Sequence, residues 1–94
     1  MNTLPSDELD KDHIKRVIMN MALERGALKT FCPSEVARHI AGNHPDQWGV
    51  LMIPIRRVAV ELMKKGELLI LRKGEIVDPD HFKGVYCLSY PHQE

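Results

Sequence analysis

Apolar positions along the chain recur at helical spacing, first in Ile14, Val17, Ile18, Met21 and Ala22, which fall at i, i+3, i+4, i+7 and i+8. That spacing predicts an amphipathic helix over residues 8 to 25. Acidic residues ahead of it suit the positive helix start, Ser6 or Asp10 supplies a cap, and Gly26 is the stop signal. Met19 and Leu23, four residues apart, are expected off the buried stripe. They read either as a homodimer seam or as two tolerated surface residues.

A short β-prone run, Lys29 to Cys32, ends at Pro33, which fits the first position of a second helix. There Val36, Ala37, Ile40 and Ala41 share a face, and Gly42-Asn43 closes it. Pro54 interrupts the next apolar stretch, so the pattern divides into a short helix over 46 to 52 and a principal helix from Pro54 to Lys65. On the principal helix Ile55, Val58, Ala59 and Leu62 form the inner stripe. Ile53, Arg57, Val60 and Lys64 are expected to point outward, flanked by Arg56 and Lys65. Residues 68 to 72 and 85 to 90 read as paired strands around a Gly-, Asp- and Pro-rich loop from Lys73 to Gly84.

Three helices followed by a hairpin with a long loop define an α+β, mainly α fold: a winged helix with a three-helix helix-turn-helix core and a small antiparallel β-wing. The 94 residues suffice for one core, so 1–94 is expected to be a single domain with a flexible acidic segment 1–7 and a flexible tail 91–94. Hydrophobic residues at 44% and charged residues at 28% exclude disordered and collagen-like classes. No apolar run reaches the length of a membrane span, and the acidic start is unlike a signal peptide. A cytoplasmic location is the resulting expectation.

The ordered motifs Cys32-Pro33-Ser34-Glu35-Val36-Ala37-Arg38, Trp48 with Leu51-Met52, Ile55-Arg56-Arg57-Val58-Ala59, Leu62, Gly66, Arg72-Lys73-Gly74, Val77-Asp78-Pro79 and Lys83-Gly84 resemble the small bacterial family DUF3253. The resemblance spans roughly residues 13 to 90. It implies a bacterial winged-helix domain and brings no established biochemical role. Gly49 stands after Trp48, where the family pattern commonly has an arginine, so no phosphate contact is carried over to that position.

The formal charge is zero, which argues against gripping nucleic acid through bulk charge. Yet residues 13 to 93 hold 12 basic against 8 acidic residues, so that body carries +4. The functional reading is a module binding double-stranded DNA, a transcriptional regulator or accessory factor. In it Arg57 reads guanine, Arg56, Lys64, Arg72 and Lys73 meet phosphates, and Val60 and Ile53 touch thymine methyls. The alternative is a protein-protein interaction module in which Ile53 and Val60 bury against another protein.

Catalysis has no support from spacing. His13, His39, His44, His81 and His92 form no metal-ligand pattern and no glycine-rich phosphate loop is present, so neither an enzyme, a metal site nor a cofactor is expected. Trp48 reads as a core anchor. Cys32, at a helix start, is expected to have a lowered thiol pKa, and pairing of the first strand with the last makes Cys87 its neighbour. A redox pair is one reading; two reduced, inert packing residues are the other.

Overall fold

The computed structural model describes residues 6–27, 29–42 and 45–91. Its elements in chain order are α1 (Ser6–Arg25), β1 (Thr30–Phe31), α2 (Pro33–Ala41), α3 (Pro45–Trp48), a 3-10 turn (Gly49–Leu51), α4 (Met52–Lys64), β2 (Leu69–Arg72), β3 (Glu75–Ile76) and β4 (Cys87–Ser89). The fold is mixed α+β, mainly helical, in a winged-helix arrangement. Helices α1, α2 and α4 pack on one another, and a small antiparallel sheet in the order β1-β4-β2-β3 closes the core.

The core follows the helical periodicity. Ile14, Ile18 and Ala22 of α1, Val36 and Ala37 of α2, and Ile55, Ala59 and Leu62 of α4 are all buried, joined by Phe31, Leu68, Ile70 and Leu88 from the sheet layer. Each of the Val, Leu, Ile and Phe side chains among them contributes roughly 1.5–3 kcal/mol when taken out of water. Trp48 is half-buried against this core, with the Arg38 guanidinium 5.7 Å from its ring centre.

Three expectations about the helices need correction. The first helix begins at Ser6, so Asp10 lies inside it and cannot be its cap, and Ser6 and Asp7 are helical. Residues 1–5, Asn43, His44 and the tail 92–94, including His92, lie outside the described residues. Met19 is half-buried against the core, because long side chains bend back along the helix toward the preceding turn; only Leu23 remains exposed on the expected dimer seam. The third correction concerns Pro54, which is the third residue of α4 rather than its first. A helix's first amides have no intrahelical partner, so a proline there forfeits no bond, and the break falls earlier, at Gly49–Leu51.

The segment expected to be a long loop contains structure. Lys73 and Gly74 form a two-residue turn with φ of 54° and 84°, the left-handed pair that a tight hairpin requires, and β3 runs back along β2. Leu71 pairs with Ile76 on one side and with Cys87 on the other, so β2 is a central strand with β4 as its second neighbour. The wing is therefore the β2–β3 hairpin plus the return segment 77 to 86. No helix among the described residues is long and apolar enough to cross a membrane.

Candidate nucleic-acid interface

Helix α4 presents its outer side through Ile53, Arg57, Val60 and Glu61, which line a shallow groove together with Arg56. Arg57 is exposed and forms no salt bridge among the described residues. Val60, expected outside, is half-buried and packs against the core.

Arg56 holds the wing. Its Nη2 donates to the Phe82 carbonyl at 2.6 Å and its guanidinium lies 3.9 Å from the centre of the Phe82 ring. Phe82 is buried, stacking edge-on against Tyr86 at 5.2 Å between ring centres. Lys64, about two helical turns further along α4, closes an ion pair of 2.7 Å with Asp80. Arg72, at the end of β2, donates from Nε to the Val85 carbonyl at 3.0 Å. Its guanidinium occupies space that only Gly84 leaves free: a Cβ there would meet Arg72 Nη2 at 2.9 Å, and Gly84 has φ +87°.

The turn between these contacts is built by the sequence Asp78-Pro79-Asp80-His81. Asp78 Oδ1 accepts the Asp80 amide at 3.0 Å and Oδ2 lies 3.2 Å from His81 Nδ1, a side-chain-closed turn of the kind that Asp favours. The Asp80 amide first, and His81 second, hold the Asp78 carboxyl below the usual carboxylate range.

Of the six residues singled out in the sequence, Arg56, Arg72 and Lys73 come together around an open cleft between α4 and the wing, joined by Lys83. Glu75 and Asp80 lie in the same cleft and offset part of its charge. Arg57 and Val60 lie in the adjoining groove, and Arg56 lines both the groove and the cleft. Lys64 stands apart at the end of α4, engaged with Asp80. Arg56, Lys64 and Arg72 are thus engaged within the chain, while Arg57 and Lys73 are exposed. Sequence reasoning overlooks Phe82, Asp80 and Lys83. Phe82 carries a signal all the same: it is the only aromatic in a polar, turn-rich stretch, as an anchoring residue would be.

Away from this face, Arg25 and Glu35 tie α1 to α2 through a 2.7 Å ion pair, and the second Glu35 oxygen accepts the Cys32 amide at 3.2 Å. No group of three or more His, Cys, Asp or Glu side chains among the described residues is arranged to hold a metal ion.

These features define a small winged-helix domain whose wing is strapped to its last helix by arginine. The family model for proteins of unknown function DUF3253 matches residues 11–91, and the chain belongs to that family. No curated protein matches the sequence.

Proposed function

We propose that the domain binds double-stranded DNA, with α2 and α4 acting as a helix-turn-helix, α4 entering the major groove and the wing lying along adjoining backbone. The observation that carries this reading is the shared border at Arg56. It joins the α4 groove with Arg57 to the wing cleft with Lys73 and Lys83, a surface on which Arg56, Arg57, Arg72, Lys73 and Lys83 outnumber Glu61, Glu75 and Asp80. Arg57 is the candidate for bidentate guanine contact, and Lys73 and Lys83 are candidates for phosphate contacts. Arg56 and Arg72 serve mainly to fix the wing at the height the helix requires. The module acts by docking, as a regulator or accessory factor, with neither a cofactor nor catalysis.

So few free cations give a monomer weak, salt-sensitive binding, on the order of 10–100 µM for random duplex. A dimer would double the contacts, and Leu23, 59% exposed, is the remaining candidate of the α1 seam. A second reading, docking onto another protein, is favoured by a separate observation: Ile53 is 67% exposed beside Arg57, and Val85 on the wing is 82% exposed.

The test is fluorescence anisotropy with random-sequence duplex at low salt, comparing the native chain with Arg57→Ala and Arg57→Ala/Lys73→Ala. Binding that falls steeply with salt and weakens stepwise in the variants supports the proposal. An absence of binding at low salt would transfer the surface to a protein partner, and equal binding by all three chains would move the interface elsewhere on the domain.

A further inference from the structure

The register between β1 and β4 sets two thiols side by side. Thr30 pairs with Ser89 and Phe31 with Leu88, so the next step of the same antiparallel ladder brings Cys32 opposite Cys87. Cys32 is still extended, with φ −90° and ψ 147°, before the chain turns into α2. Residues directly opposite one another project from the same face, and neighbours along a strand alternate faces. Phe31 and Leu88 are both buried in the core, so Cys32 and Cys87 share the other face of the sheet.

Both cysteines are free thiols and half-buried, covered neither completely nor by a metal-ligand set among the described residues. Opposed residues of an antiparallel pair have Cα atoms roughly 4.5–5.5 Å apart, which lies within the roughly 4.4–6.8 Å that a disulfide spans. The strand spacing is therefore compatible with a disulfide between them. Burial pushes the Cys32 thiol up, the neighbouring Cys87 thiol adds to this, and Glu35 outweighs the opposing Arg38. This corrects the expectation of a thiol lowered by the start of α2. The Cys32 thiol, kept protonated, stays reduced until an oxidant is supplied.

We propose that Cys32 and Cys87 form a reversible oxidation site, closing to an intramolecular disulfide within the folded domain when exposed to a small-molecule disulfide such as oxidised glutathione. One cysteine, as thiolate, attacks a sulfur of the oxidant. The oxidant's S–S bond breaks, one thiol leaves, and a mixed disulfide remains on the protein. The second cysteine attacks the protein sulfur of that mixed disulfide, forming the Cys32–Cys87 bond and releasing the second thiol. The two cysteine protons end on the two released thiols; the protein loses two electrons and the oxidant gains them. The closed bond ties the entry of α2 to β4, and the inference stands apart from any binding of DNA.

The experiment incubates the native full-length chain with oxidised glutathione and counts free thiols, with mass spectrometry and non-reducing electrophoresis alongside. Expected are the joint loss of both thiols, a mass lower by two hydrogens, a peptide cross-linking Cys32 to Cys87, a monomeric band and full reversal by dithiothreitol. The melting temperature should rise by at least about 5 °C, because the bond closes a long loop. Cys32→Ser and Cys87→Ser should each retain glutathione as a stable mixed disulfide, because the resolving thiol is missing. Stable glutathione adducts on both cysteines of the native chain, disulfide-linked dimers, or oxidation seen only in denaturant would each overturn the proposal without needing either variant to fold.

Discussion

The guanidinium of Arg56 lies over the Phe82 ring while donating to that residue's own carbonyl, so one side chain grips both the ring and the backbone of the wing. The ring contact is worth about 0.5–2 kcal/mol and a charged hydrogen bond about 1.5–3 kcal/mol, with overlap between the two. Arg56→Ala is expected to lower unfolding stability by about 2–3 kcal/mol in urea titrations. Arg56→Lys should recover less than half, since a compact ammonium on a flexible stem cannot stack and donate together. A loss under about 0.5 kcal/mol for the alanine variant would show that the wing is held by other contacts.

Asp80 lies opposite Lys64, and both side chains are about half exposed. Such a pair contributes about 0–1 kcal/mol, so Asp80→Asn should leave the melting temperature nearly unchanged. The same change frees Lys64 and removes a carboxylate from the edge of the wing cleft. If α4 and the wing contact DNA, affinity for random duplex should rise, and the slope of log K against log salt should steepen by about one. Unchanged binding in a chain that otherwise binds DNA would place the contact surface away from the end of α4.

Glu35 joins α1 to α2, and its carboxyl sits below the usual range, chiefly through the Arg25 guanidinium and further through the Cys32 amide. A depressed folded-state pKa means stability that is present above the ordinary value of 4.5 and lost as pH falls through the lowered one. Glu35→Gln should therefore cost about 1 kcal/mol at neutral pH and converge with the native chain in strong acid. Paired denaturation curves from pH 7 down to about pH 2 check it. Parallel curves at constant separation would mean that the carboxyl's charge is not what stabilises the α1–α2 contact.

The parts of the fold legible in the sequence are those fixed by repetition. The stripe Ile55, Val58, Ala59 and Leu62 recurs often enough for its period to show, and all four residues are buried. Strand β3 is two residues long, too short for any alternation to appear, and the turn formers around it read as loop. The candidate interface is legible only as a set of cations on an outer face. Arg56 reaches an acceptor 26 residues away that belongs to the backbone, and a backbone carbonyl leaves no mark in the residue alphabet. Cys32 and Cys87 are a different case: pairing of the first strand with the last follows from the winged-helix topology, so their adjacency can be read in advance. The upward shift of the Cys32 thiol cannot, because it depends on how much water that thiol loses.

Tyr86 buries its ring against Phe82, yet its hydroxyl has no hydrogen-bond partner among the described residues. A buried polar group left unpaired costs about 1–3 kcal/mol, so Tyr86→Phe is expected to stabilise the domain by about 1–2 kcal/mol at neutral pH. Burial, opposed by Arg56, pushes the phenol up from 10.0 to about 12. A raised folded-state pKa means that the neutral form's contribution is complete below pH 10 and is lost as pH rises toward about 12. The native chain should therefore lose stability faster than the phenylalanine variant above pH 10, so that the gap between them widens in alkali. Thermal unfolding monitored by circular dichroism from pH 7 to about pH 11 measures both effects. A destabilised Tyr86→Phe would mean that the hydroxyl is bound in solution, for instance by a water held beside Arg56.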